Sequence, residues 1–236
     1  MPQNVKFLGI IPARGGSKGI PQKCITQLKN KPLIAYTIEE AKKSNYLDKL
    51  IVSTDDKNIA DISKKYGAEI PFIRPERLAK DDTPSLPVIQ HALEFFKKKG
   101  YLPEYVVILQ PTSPLRRTSH IDSAIKKIID TQADMVVSLC KVTQHPFWMR
   151  RLEKYDKVVP FIETRKVYYR RQDLPELYRL NGAITIAKSK VIMEEKKKVD
   201  IRGYIMDELY SVDIDTYLDL LIAEKFLDVI EKETTI

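Results

Sequence analysis

Cysteine is almost missing from this chain. Cys24 and Cys140 are the only two among 236 residues. Two distant thiols cannot by themselves build a disulfide framework or a zinc cluster, so a reducing, cytoplasmic location is expected. Histidine is nearly as scarce: His91, His120 and His145 stand far apart and are expected to pack or lie at the surface. No apolar run approaches the roughly 18–20 residues of a membrane span. A charged content of 31% also argues against a membrane protein. The first apolar run begins within a few residues of Met1, without a signal-peptide pattern. No helix-turn-helix, zinc-finger or aromatic RNA-binding signature accompanies the net charge of +8. That charge therefore reads as basic helix faces, such as Lys97, Lys98 and Lys99, or as attraction for a small acidic substrate, rather than for nucleic acid.

What is present is a real core. Hydrophobic residues make up 43% of the chain. Its length suits one domain over residues 1–236. Strand-like runs recur at Phe7–Pro12, Leu50–Thr54, Tyr105–Gln110, Met135–Cys140, Ala183–Ala187 and Tyr210–Ile214. Several are continuous and β-branched, which suits strands buried on both faces. Helical stripes lie between them. Pro32 opens Leu33–Lys43; Asn58–Tyr66 follows the second run; Val88, Ile89, Ala92, Leu93 and Phe96 form one face. Ile121, Ala124, Ile125, Ile128 and Ile129 form the next, and Leu218, Leu221, Ile222 and Phe226 the last. The alternation predicts an α/β three-layer sandwich around a mainly parallel, mixed central sheet. It breaks over residues 142–180, rich in aromatics and arginine, which read as an inserted β-arm, expected to serve dimerisation, or else as a local lid or hairpin.

The segment IIPARGGSKGIPQK leaves the first run. In open α/β sheets ligands sit beyond the carboxyl ends of strands. The segment fits neither GxxxxGK[ST] nor GxGxxG, and no helix follows until about Pro32. It is therefore a long wrapping loop. Gly15, Gly16 and Gly19 suggest positive φ and converging backbone N–H groups. Arg14 offers a planar fork of donors, and Lys18 and Lys23 offer mobile charges. Together they make a seat for polyphosphate.

Three further stretches carry chemistry. In SVDID, a strand would put Asp213 and Asp215 on one face, since side chains alternate. Paired carboxylates call for a hard cation, and magnesium commonly joins one or two carboxylates to substrate phosphates. Asp215 could also cap the final helix. Asp55 and Asp56 end a strand before a helix, and capping is expected there. In QPTSPLR, Pro111 and Pro114 stiffen a loop that places Gln110, which both donates and accepts. Arg116 and Arg117 read as surface cations. RRQDLPELYRLNG gathers Arg171, Tyr178, Arg179 and Asn181, with arginine forks apt for a carboxylate.

In order and in register, IPARGGSKGIPQK, VSTDD, RPERLAKDDTPS, LQPTSPLR, RQDLPELYRLNGAI and SVDIDTYLDLLIAE resemble the motifs of the acylneuraminate cytidylyltransferases, the CMP-sialic acid synthetases. The resemblance covers nearly the whole chain. It implies a Rossmann-like nucleotidyltransferase fold. It also implies a reaction in which the anomeric hydroxyl of a nine-carbon α-keto acid sugar attacks the α-phosphorus of CTP. Pyrophosphate then leaves, with Mg²⁺ as cofactor. By matching positions, Arg14, Gly15, Gly16, Ser17, Lys18 and Lys23 should meet the triphosphate. Arg74, Asp82, Thr83 and Ser85 should lie near the cytosine and ribose. Gln110, Arg171, Tyr178, Arg179 and Asn181 should serve the sugar side or a neighbouring subunit's site. Asp213 and Asp215 should hold magnesium. Arg14, Lys23 and the two aspartates would be the catalytic set, and a homodimer is expected.

Two departures stand out. Cys24 follows Lys23 where the family often has asparagine. It is either a loop-filling residue or a thiol made somewhat acidic by its neighbour. Trp148 stands where some members carry lysine; Arg150 or Arg151 could replace that charge, and the pocket could then suit legionaminic or pseudaminic acid. One rival reading is a CMP-transferase for 3-deoxy-manno-octulosonate, whose first motif usually has an arginine-leucine-proline turn; here the turn is Gly19-Ile20-Pro21. The other is an inactive nucleotide-binding regulator, against which the Asp213–Asp215 pair argues.

Overall fold

A computed structural model describes residues 5–164, 166–196 and 198–234. The central sheet has six strands: β1 (Phe7–Pro12), β4 (Leu47–Ser53), β5 (Tyr105–Leu109), β6 (Met135–Lys141), β9 (Tyr178–Lys188) and β10 (Ile201–Met206). Short pairs β2 (Gln27–Leu28) with β3 (Lys31–Pro32) and β7 (Arg150–Leu152) with β8 (Val158–Pro160) stand apart from it. The order is β10-β6-β9-β5-β1-β4. β1 runs parallel to β4 and β5, and β10 parallel to β6. β9 runs antiparallel to β5 and β6, so the sheet is mixed, as expected.

Period-two alternation decides where each side chain goes. In β5, Tyr105, Val107 and Leu109 enter one core cluster, and Val106 and Ile108 enter the opposite one. The first cluster receives Ile34 and Ile38 of α1 (Leu33–Lys42), Ile59 of α2 (Lys57–Lys65) and Ile121, Ala124, Ile125 and Ile128 of α4 (Thr118–Thr131). The second receives Ile89, Leu93 and Phe96 of α3 (Ser85–Lys98) and Ile192 of α5 (Ser189–Glu194). Each of the isoleucine, leucine and phenylalanine side chains contributes about 1.5–3 kcal/mol on burial. Helix–sheet–helix layering follows directly.

Three sequence expectations change. Tyr210–Ile214 is not a strand: a 3₁₀ turn at Glu208–Tyr210 leads into irregular chain. The sixth strand is β10, at the sheet edge, where Gly203 lets Leu139 pack closely. The last helix, α6 (Tyr217–Thr234), docks through Ala223, Leu227 and Ile230 against Ile20, Leu28 and Leu33. Leu218, Leu221 and Ile222 of the expected stripe are exposed instead, and only Phe226 packs against the cluster; the helix is rotated so that its small Ala223 meets the loop. The arm carries the β7–β8 hairpin and a large exposed apolar surface, with Tyr155 99% exposed. Arg165, within the expected arm, lies outside the described residues.

Candidate active site

The glycine-rich loop leaves β1 at its carboxyl end and crosses a cleft of about 560 Å³. Arg14, Gly16, Ser17, Lys18, Lys23, Arg74, Thr83, Ser85, Gln110 and Asp215 all line it. Seven other residues named from the sequence do not: Gly15, Asp82, Asp213, Arg171, Tyr178, Arg179 and Asn181.

The loop is held from several sides. Gly15 N donates to Asp55 Oδ1 at 3.1 Å, so Asp55 anchors the loop while Asp56 alone caps α2 by accepting from Ile59 N. None of the loop glycines adopts positive φ; that conformation falls to Gln22. Gly19 is needed for closeness instead: an added Cβ would lie 2.2 Å from the Asp215 carbonyl oxygen. Lys23 Nζ bonds Asp215 Oδ1 at 2.7 Å across the same contact. Loop and aspartate segment therefore meet as two walls of one cleft.

On the other side, Arg14 Nη1 pairs with Asp81 at 3.1 Å and donates to the Lys80 carbonyl. Lys18 reaches Asp81 at 3.4 Å. The Asp81 carboxylate thus sits among the loop cations, showing that they can converge on anionic oxygens. Arg74 is buried; its guanidinium donates to the Ser53 carbonyl and hydroxyl. Burial lowers its pKa and the Asp55 charge opposes that.

Asp215 does not cap α6. Thr216 and Asp219 do so reciprocally: Asp219 Oδ2 accepts from Thr216 N at 2.7 Å, and Thr216 Oγ1 accepts from Asp219 N. The Asp215 carboxylate is left for Lys23. Asp213 is exposed by area but crowded by protein on its inner side. That partial desolvation raises its pKa; the Thr112 hydroxyl bond opposes the shift, and the Asp215 charge adds to it.

Cys24 is buried against the cleft, and burial pushes its thiol up to about 11 despite Lys23 beside it. Burial thus opposes the acidic-thiol alternative, and the buried position fits a loop-filling role. Asn181, 2% exposed, faces the interior. A β-bulge at Gly182, with φ +72°, turns it inward. Its Oδ1 accepts from Ser138 Oγ at 2.5 Å, and its Nδ2 donates to Ser211 Oγ at 2.9 Å. Arg179 donates to the Ser211 carbonyl. Arg171 lines a separate cleft of about 380 Å³ at the arm's base, with Lys141, His145 and Glu176. Tyr178 lies beside Glu176, whose hydrogen bond raises its pKa. Sequence reasoning missed Asp55, Asp81 and Thr112 as parts of this site. It also took Arg116 for a surface cation, whereas it is buried.

Glycine-rich loop, convergent cations and an acidic segment at the carboxyl edge of a mixed sheet define a nucleotidyltransferase. A solved CMP:2-keto-3-deoxy-manno-octonic acid synthetase complexed with CTP shares this fold, with a TM-score of 0.70 over 94% of this chain and 98% of that one at 16% identity. The chain belongs to the cytidylyltransferase family, which it matches over residues 8–236. Among its relatives is the CMP-N,N'-diacetyllegionaminic acid synthase of Legionella pneumophila, 34% identical over 95% of this chain and 97% of that protein. The pseudaminic acid cytidylyltransferase of Campylobacter jejuni is 34% identical over 93% and 95%. The N-acylneuraminate cytidylyltransferase of Escherichia coli is 37% identical over 92% of this chain and 51% of that longer protein.

Proposed function

We propose that the protein transfers CMP from CTP to the anomeric hydroxyl of a nonulosonic acid of the neuraminic, legionaminic or pseudaminic type. The observation that carries this reading is the loop–aspartate contact, where Lys23 meets Asp215 at 2.7 Å in a family of cytidylyltransferases. Relatives named for three nonulosonic acids support the acceptor class.

In this reading Arg14 and Lys18 exchange Asp81 for the β- and γ-phosphates. Lys23 holds the α-phosphate near Asp215. Arg74, Thr83 and Ser85 bound the nucleoside side of the cleft, and Gln110 faces the acceptor. The anomeric oxygen forms a bond to the α-phosphorus, its proton departs, and the bond to the bridging oxygen breaks to release pyrophosphate. Fixed cations stabilise the charge that gathers on the leaving oxygen, and positioning supplies most of the rate. Arg171 and Tyr178 lie on the arm side and serve the acceptor of a partner subunit's site.

Magnesium suits the donors present. Desolvation raises the Asp213 pKa and the Asp215 charge adds to it, so a cation between the two carboxylates would be favoured, and Lys23 leaves part of the Asp215 carboxylate free. Among the described residues no cluster of three or more His, Cys, Asp or Glu side chains forms a cage; phosphate oxygens and water would complete the shell. When bound, the ion withdraws charge from the phosphates. The arm's exposed apolar residues, Leu152, Tyr155, Val158, Val167 and Tyr169, support a homodimer; a scattering mass of one chain at working concentration would refute that assembly.

The test is a panel. CTP and Mg²⁺ with N-acetylneuraminic, legionaminic, pseudaminic and 3-deoxy-manno-octulosonic acids should release pyrophosphate with at least one of the first three. Release only with the fourth would establish the octulosonate reading, and silence across the panel would leave an inactive nucleotide binder.

A further inference from the structure

Arg116 is the bulkiest of the fully buried side chains, at 1% exposure. It makes no ion pair with a carboxylate among the described residues; the nearby Glu40 is engaged by Lys43, Arg117 and Thr118. Its Nη1 donates to the Ala183 carbonyl at 2.7 Å and to the Gln110 carbonyl at 3.2 Å. Its Nε and Nη2 find no protein partner. A dry charge with donors to spare is costly. Burial pushes its pKa down to about 9, opposed by the Glu40 charge. Fold stability alone gives no reason to keep such a group.

Its location supplies one. The β5–β9 ladder ends at Leu109 opposite Ile184. Gln110 and Ala183 are the next residue on each side, and the single Nη1 bonds both carbonyls as the strands part. From that root springs the 110–116 loop. Gln110, Pro111 and Thr112 line the cleft. The Thr112 carbonyl accepts from Ile214 N at 2.8 Å, and the Thr112 hydroxyl stands near enough to the Asp213 carboxylate to favour its charged form. The loop therefore carries one cleft wall and grips the aspartate segment as well.

We propose that Arg116 is a positioning residue, which pins the parting ends of β5 and β9 and so fixes the loop whose Thr112 carbonyl holds Ile214, and with it the flanking Asp213, beside the cleft. Arginine suits this place better than lysine. A guanidinium is more weakly hydrated than an ammonium and keeps its charge when buried, whereas a buried lysine readily loses its proton. The inference rests on the reading of Asp213 given under the proposed function.

The test uses the full-length protein with Arg116→Lys and Arg116→Met. Amide exchange without substrates should rise by roughly tenfold or more at Ile214 and across residues 110–116, and stay unchanged in β1 and β4. With CTP and the active sugar, kcat should fall by about tenfold or more, while KM for CTP stays within about threefold, because the phosphate cations lie on another wall. Unchanged exchange at Ile214 in a folded variant would overturn the proposal, as would an unchanged kcat. Should the methionine variant fail to fold, the lysine variant and Thr112→Val carry the decision. Their combined effect on kcat should be smaller than the product of the separate effects; a full product would show that Arg116 does not act through Thr112. If the wild-type chain proved inactive with every sugar, the proposed function would fail, yet the exchange experiment would still decide whether Arg116 anchors the loop.

Discussion

Gly19→Ala is expected to disable the enzyme without unfolding it. Gly19 has no positive φ, so alanine's backbone preference is not at issue. The added Cβ would meet the Asp215 carbonyl oxygen at 2.2 Å, where ordinary contact begins at 3.4 Å. Both partners are backbone, so the walls must part by about 1.2 Å. The Lys23–Asp215 bond, now 2.7 Å, would then lie beyond hydrogen-bonding range. A misplacement near 1 Å in a reacting constellation costs roughly 10²-fold in rate. Pyrophosphate release should show kcat/KM down by about that factor, with a near-normal urea transition. If Gly19→Ala kept wild-type kcat/KM, the two-wall contact would have no part in turnover.

Asp213→Asn should cut turnover by about 10²-fold or more with the melting transition intact; near-normal turnover would remove Asp213 from the reaction. Asp81→Asn should tighten CTP binding, because it frees Arg14 and Lys18 from a competing carboxylate. Both pairs are partly exposed and screened, so the gain by calorimetry should stay below about fivefold; weaker binding would show that Asp81 itself holds the nucleotide. Burial, with Arg116 and Arg117, lowers the His120 pKa below its ordinary 6.5. The unfolded chain therefore gains a proton near pH 6.5 before the folded chain does, and stability should be constant above that pH and decline below it. Melting temperatures from pH 8 to 5 should show this slope, and His120→Gln should flatten it. An unchanged slope would assign the acid sensitivity to other groups.

The sheet was largely legible because continuous β-branched runs and period-3.6 stripes force a buried, helix-covered sheet. Phe7–Pro12 and the faces of α3 and α4 came out as read. Edge strand β10 was not, because Ile201–Met206 is partly exposed and broken by Gly203. The Asp213–Asp215 alternation survives without a strand: Ile214 is buried and its N–H bonds the Thr112 carbonyl, which leaves both aspartates outward. The glycine-rich loop over the cleft could be recognised by its glycines and cations, although Gly19 serves close approach rather than positive φ. Arg116 could not be read, since an arginine after a Pro-Leu turn looks like a surface cation until both strand ends are seen to converge on it. Asn181 likewise reads as a ligand donor in the sequence. Only the bulge at Gly182 reveals that it faces Ser138 and Ser211.

The central claim is group transfer, and phosphorus NMR of one reaction mixture tests it directly. With CTP, Mg²⁺ and a nonulosonic acid, the α-phosphorus should move into a phosphodiester with the sugar as pyrophosphate appears in equal amount. CTP that binds but stays intact, or that yields free CMP with no sugar adduct, would contradict the account.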